Sequence, residues 1–332
     1  MKVAFRPPRW LRSPHLQTIA GTVPVYAPPK THARAEEEDL RIPLGDEGCL
    51  HARAWWATPA SERAPAVVIL HGIAGSKDSL CCVRAAVALH RAGYHAVRLD
   101  MRAAGESVVD APSLYHGGLT TDLDLTVRHL LAHPRVESVL VLGFSGGGSI
   151  ALKLAGEWGK DAPPGVRAIA SISAPLDYVH VAARMDTFAC ALYRYHVLGG
   201  LLDRARAFAE RHPSRVHYKV ADLHGIKRFR AYDDAVIVPM HRFESVDHYY
   251  RAVSSGPYLE KIEVPSIVIH AEDDPMVPIR GVRPWFRGAA PSVRTVVSEH
   301  GGHIGWVGGF DEASWIKGWA MSHALSFFAE HR

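Results

Sequence analysis

The chain has 332 residues, of which 48 % are hydrophobic and 22 % charged; this is enough apolar material for a large core, and it excludes disordered, collagen-like and disulfide-stapled architectures. Lys and Arg number 38 against 34 Asp and Glu, a formal net charge of +4, and the basic residues are scattered, so nucleic acid is not expected as a partner. The four cysteines, Cys49, Cys81, Cys82 and Cys190, are too few for a disulfide framework and fit a reducing cytoplasm.

The N-terminus, Met1-Lys2-Val3-Ala4-Phe5-Arg6-Pro7-Pro8-Arg9, breaks any apolar run with arginine and proline, so no signal peptide is expected. Arg6, Arg9, Trp10 and Arg12 read as a solvated arm rather than a membrane contact. No stretch reaches the roughly 18 apolar residues of a bilayer span. Residues 36–56 read as two strands about Gly45-Asp46-Glu47-Gly48, with Leu40, Ile42 and Leu44 alternating in the first. Ala66-Val67-Val68-Ile69-Leu70 is continuously apolar, the mark of a strand covered on both faces of a parallel sheet.

Strand and helix then alternate: helix 80–92, strand 96–99, helix 119–132, strand 139–142, helix 147–158 and strand 167–173. This rhythm predicts an α/β fold with a mostly parallel twisted sheet, helices on both faces and right-handed crossovers. Over 176–255 the rhythm stops, and the text is rich in Arg, His, Tyr and Phe; a mainly helical lid insertion is expected, with Phe188, Tyr193 and Tyr195 against the substrate's acyl chain or in the lid's own core. Strands resume at 265–270 and 293–297, and a closing helix at 315–330. The expected division is an arm and hairpin at 1–60, the first part of the core at 61–175, the lid at 176–255 and the second part of the core at 256–332.

Gly143-Phe144-Ser145-Gly146-Gly147 matches G-x-S-x-G and lies between a predicted strand and a predicted helix, where a nucleophile elbow presents its serine at the carboxyl edge of the sheet. A glycine-rich turn with Ser145 as a helix cap is the bland alternative, but no Lys follows as in a P-loop. A serine hydroxyl needs a base, and the base needs an acid to orient it. The acid is sought in Glu272-Asp273-Asp274-Pro275-Met276-Val277-Pro278, and the base in His300-Gly301-Gly302-His303. The order Ser145, Asp274, His303 is that of α/β-hydrolases. Asp274 is preferred over Asp273 because that superfamily's acid loop often reads D-x-x-V-P, and His303 over His300 because glycines around it allow a loop to return the imidazole. The backbone N–H groups of Ile73, after His71-Gly72, and of Gly146 are assigned to the oxyanion hole, where each donor is worth about 3 kcal/mol in the transition state. His129 and His133 are four apart but lack the acid of H-E-x-x-H; neither a metal nor another cofactor is expected.

Pro14-His15-Leu16-Gln17-Thr18-Ile19, Leu114-Tyr115-His116-Gly117-Gly118, Tyr232-Asp233-Asp234-Ala235, Tyr249-Tyr250 with Ser254-Ser255, and His300 to Gly305 together resemble the YheT-like family of α/β-hydrolases. The resemblance implies a serine esterase with its triad at Ser145, Asp274 and His303. The family's eukaryotic relatives act on acylglycerols or medium-chain phospholipids and carry an N-terminal membrane anchor that is not seen here, so a soluble bacterial form is expected. Two departures stand out: Met101-Arg102-Ala103-Ala104-Gly105-Glu106-Ser107 replaces the usual Arg-Gly, and Gly146 stands where a larger residue is common. The expected function is hydrolysis of short- to medium-chain or lipid-like esters through an acyl-enzyme. The alternatives are an acyltransferase with the same triad and a non-catalytic ligand-binding homologue.

Overall fold

Ala64–Leu70 is buried at every position and forms the third of eight strands in one sheet. The computed structural model describes residues 3–23, 37–45, 48–309 and 318–332. The strands are β1 (Glu37–Pro43), β2 (Cys49–Trp55), β3 (Ala64–Leu70), β4 (His95–Asp100), β5 (Val136–Phe144), β6 (Val166–Ile172), β7 (Ser266–Ala271) and β8 (Val293–Ser298). They lie in the order β1-β2-β4-β3-β5-β6-β7-β8. The leading hairpin joins antiparallel through β2 to β4, and every pair from β4 through β8 is parallel. Residues 46 and 47 of the predicted turn lie outside the described residues, as do residues 315–317 of the predicted closing helix, which runs as Trp319–Glu330.

Two-residue alternation sorts the strands' side chains into two cores. Val68 and Leu70 with Val97, Leu99, Val139 and Val141 pack against α3 (Thr121–Leu131) and α4 (Gly146–Trp158) through Leu123, Val127, Ile150 and Leu154. On the other face Val67, Ile69, Leu140 and Leu142 meet Ala85 and Leu89 of α2 (Leu80–Arg91) and Ala324 and Phe328 of the closing helix. Both faces of the sheet are covered, as the continuous apolar runs require. Helix α4 is buried on nearly every side, because its glycines and alanines let it sit between the sheet and the turn Gly256–Lys261.

Between β6 and β7 the chain leaves the sheet and builds helices: α5 (Tyr178–Met185), α6 (Ala191–Arg211), a stretch in which Phe229–Tyr232 passes through a π-turn, Asp233–Ile237, into Val238–His241, and a helix at Val246–Val253. Asp177 caps α5 by accepting from the N–H groups of Val179 and His180, and Ser245 caps the last helix at His248, each satisfying donors that a helix start leaves open. These helices share their own core of Leu198, Leu202, Phe208, Phe229, Tyr232 and Tyr249.

Candidate active site

The turn from β5 to α4 holds Ser145 at φ 49°, ψ −122°, a strained conformation for a residue with a side chain. Close packing enforces the turn. A Cβ on Gly143 would lie 2.5 Å from the Gly147 carbonyl oxygen, and one on Gly147 would lie 2.5 Å from that of His71. The Ser145 N–H donates to Ile172 O at 2.8 Å, which ties the elbow to the neighbouring strand β6.

His303 Nε2 lies 3.0 Å from Ser145 Oγ, and His303 Nδ1 lies 2.8 Å from Asp274 Oδ2. A proton on Nδ1 directed at Asp274 leaves the Nε2 lone pair facing the serine hydroxyl, the tautomer a general base needs. The other carboxylate oxygen of Asp274 accepts from the N–H groups of Met276 at 2.9 Å and Val277 at 2.8 Å, so the loop following the acid orients it. All three side chains are buried. Asp273 instead accepts from Gly302 N at 2.9 Å, with His300 Nδ1 3.4 Å away; this pair shapes the histidine loop from outside.

The loop after β3 is pinned on both sides of Ile73. His71, wholly buried, lies with Nδ1 2.7 Å from Gly72 O and accepts from Met101 N through Nε2 at 3.3 Å. Burial lowers its pKa to about 4, so the ring is neutral and donates from Nδ1. Ala74 N donates to the Tyr115 hydroxyl at 2.6 Å. Between these anchors the Ile73 N–H faces the first turn of α4: a Cβ on Gly146 would lie 3.5 Å from Ile73 N. No protein acceptor among the described residues takes the Ile73 or Gly146 N–H. Both residues line the same cleft as Ser145, and open donors facing a serine hydroxyl are what an oxyanion site requires. His71 and Tyr115 stood in the sequence as part of recognisable stretches, but their positioning roles depend on contacts that linear spacing does not reveal.

A family model for the alpha/beta hydrolase fold matches residues 65–308. The chain belongs to this family. It is 28 % identical to YheT of Escherichia coli (strain K12), which carries an esterase name, over 92 % of this chain and 87 % of that one. It is 27 % identical to a monoacylglycerol lipase of Saccharomyces cerevisiae over 74 % of this chain and 56 % of the lipase. Among solved structures, the esterase Pf2001 of Pyrococcus furiosus superposes with a TM-score of 0.60 at 17 % identity, covering 99 % of this chain and 98 % of that one; this likeness is one of fold.

Over Ser145 the chain has a cleft of about 580 Å³, open to solvent and lined by Tyr178, Val181, Met185, Phe229, Tyr250 and Met276 among others. A second recess of about 400 Å³ runs past His71, Tyr115, Ile150 and Leu201, and shares Ile73, Gly146, Tyr178, Asp233 and Tyr249 with the first. The two therefore share a wall that includes Ile73 and Gly146.

The expected acyl contacts of the lid need correction. Phe188 is 95 % and Tyr195 83 % exposed, because both stand on the solvent side of the insertion. Tyr193 does not line the cleft but packs against the lid's own core, the other position expected of it, with its hydroxyl 2.8 Å from His15 Nδ1. Tyr178, Phe229, Tyr249 and Tyr250 line the cleft instead.

His133 stacks on Trp56 with ring centroids 4.7 Å apart and forms no metal cluster with His129. Among the described residues one group could offer three metal ligands: Cys49, His51 and Asp110, whose ligand atoms lie within 4.8 Å of one another. Arg41 donates to the same Asp110 oxygen as His51, each at 2.8 Å, so a cation already occupies that carboxylate. The group lies outside the lining of both recesses. No helix among the described residues is long and apolar enough to cross a membrane.

Proposed function

We propose that this chain is a serine carboxylesterase that cleaves small-molecule esters through an acyl-enzyme on Ser145. The observation that carries the reading is the continuous relay from Asp274 Oδ2 through His303 to Ser145 Oγ, with steps of 2.8 and 3.0 Å. Ser145 Oγ attacks the ester carbonyl while His303 Nε2 takes its proton, and the oxyanion settles on the N–H groups of Ile73 and Gly146. Collapse of that intermediate expels the alcohol, which receives the proton from His303. Water then attacks the acyl-enzyme, with His303 again as base, and the acid is released. Asp274 stabilises the imidazolium formed in each half-reaction.

The apolar lining of the cleft supports a short- to medium-chain acyl or lipid-like ester. Esterase and lipase names among the relatives support the same chemistry. The four free cysteines support a reducing, cytoplasmic compartment. A series of p-nitrophenyl esters of graded chain length, with a fluorophosphonate probe located by peptide mass spectrometry, tests the reading. Turnover with the label on Ser145 is expected; absence of both, or a Ser145→Ala variant that retains most of the activity, would refute it.

A further inference from the structure

Asp233 is a buried carboxyl in the shared wall of both recesses, and the triad chemistry has no use for it. Its Oδ2 accepts from the Tyr250 hydroxyl at 2.7 Å. Among the described residues no other hydrogen bond or ion pair reaches it, and Oδ1 is not one of the buried atoms left without a partner, so this oxygen is open to the solvent of the recesses. Placing a carboxyl in an otherwise apolar wall is costly, and an apolar residue of similar size would pack here without that cost. The residue also opens the π-turn Asp233–Ile237, a local widening that is frequent at functional sites. The neighbouring Tyr249 hydroxyl accepts from Gly117 N at 3.2 Å and makes no hydrogen bond to either oxygen of Asp233.

We propose that Asp233 is a substrate-recognition residue whose free Oδ1 accepts a hydrogen bond from a hydroxyl group carried by the ester near its scissile bond. The proposal rests on the esterase reading above. Apolar pockets orient ligands through a few placed polar groups, and Asp233 lines both recesses, as Ile73 and Gly146 do, so its carboxyl borders the space an ester bound at Ser145 would fill. Burial pushes its pKa up to about 7, which favours a neutral hydroxyl over an ammonium as the donor. Either protonation state has an oxygen that accepts. The hydroxyl can belong to the acyl chain or to a polyol alcohol.

Two ester pairs separate these sources: ethyl 3-hydroxybutyrate against ethyl butyrate for the acyl side, and glycerol monobutyrate against propyl butyrate for the alcohol side. The readout is the ratio of kcat/KM within each pair, corrected for uncatalysed hydrolysis. In one pair the wild-type protein is expected to favour the hydroxylated ester by about 10-fold or more. Asp233→Leu should bring that ratio close to one, while Asp233→Asn, which keeps a carbonyl oxygen, should retain most of it. If the Leu variant does not fold, Asp233→Ala takes its place with the same expectation. A wild-type ratio near one in both pairs, or a ratio unmoved by Leu or Ala, overturns the subsite while leaving the esterase reading intact. No turnover of any of the four esters, with no fluorophosphonate label on Ser145, removes the esterase reading and the subsite with it.

Discussion

Thr18 Oγ1 accepts the backbone N–H of His303 at 2.9 Å, joining residues 285 positions apart. Beside it the fully buried Gln17 donates to the carbonyls of Leu11 and Val307, each at 3.0 Å, and accepts from Val307 N at 2.7 Å. Helix α1 (Pro14–Ala20) thus grips the histidine loop on both sides of the imidazole. The grip is tight: a Cβ on Gly302 would lie 2.5 Å from Pro14 O, and one on Gly305 would lie 2.6 Å from Gln17 O. The stretch Pro14 to Ile19, recognisable in the sequence only as a family mark, thereby acquires a physical role in placing His303.

Gln17→Leu should therefore act on His303 without touching substrate. It leaves the N–H and carbonyl of Val307 buried and unpaired, a loss of about 1–3 kcal/mol for each unsatisfied group. Thermal unfolding should move to lower temperature, and kcat should fall by roughly 10-fold with a smaller change in KM, since misplacing the base weakens the transition state more than ground-state binding. An unchanged kcat in a destabilised variant would reduce α1 to a structural prop.

The two histidines of the loop should separate cleanly. His303→Ala is expected to lower kcat by about 10⁴-fold, as does loss of a member of such a triad. His300 approaches Asp273 at 3.4 Å and is a third exposed, so His300→Ala should cost less than about 3-fold. Steady-state kinetics on one p-nitrophenyl ester decides between them; comparable losses in both variants would mean that the base has been misassigned.

The sheet was legible because Ala66 to Leu70 and Val139 to Leu142 are too uniformly apolar for anything but strands covered on both faces, and the elbow because Gly143 and Gly147 have no tolerable substitute between β5 and α4. Within the acid loop, residue type alone left Asp273 beside Asp274; the difference is one of direction, with Asp274 held inward by Met276 N and Val277 N and Asp273 turned to Gly302 N. The lid was legible as helical but not in its facing. Aromatic residues in a segment of low periodicity do not declare which side is buried, so Phe188 and Tyr195 were expected in the cleft or in the lid's core and stand in neither. Gln17, Thr18 and His71 were silent because their partners are loop backbone atoms, which no spacing rule reaches.

Lys77 and Asp100 form a buried ion pair a few residues after Ile73. Lys77 Nζ lies 2.9 Å from Asp100 Oδ2 and 2.7 Å from Glu106, and Asp100 also accepts from the N–H groups of Lys77 and Glu106. Lys77 and Asp100 are both almost wholly buried. Removing one partner strands the other charge, so Lys77→Met should destabilise the fold by about 3–5 kcal/mol, and adding Asp100→Asn, which removes the stranded charge and keeps one oxygen for those N–H groups, should recover part of that loss. Urea unfolding of the two variants gives the comparison, and a double variant less stable than the single would contradict it.

His71 and Asp233 should make opposite contributions to the pH dependence of stability. Burial lowers the pKa of His71 from 6.5 to about 4, so between those values the unfolded chain binds a proton that the folded one refuses. Stability therefore rises with pH across that window, by on the order of 3 kcal/mol, and is lost again on acidification. Burial raises the pKa of Asp233 from 3.8 to about 7, so the folded chain keeps a proton that the unfolded one releases. Stability then falls across that window, by on the order of 4 kcal/mol. Burial also lowers the pKa of other histidines, His95 and His241 among them, and these add to the rise with pH, so each group is read as a change of slope from the wild type. Asp233→Asn should make stability climb more steeply from pH 4.5 to 7.5, and His71→Asn should make it climb less steeply than in the wild type, whatever either change does to absolute stability. Urea midpoints at four pH values, converted with the measured m-values, give the slopes; two curves parallel to that of the wild type would show that neither group titrates differently on folding.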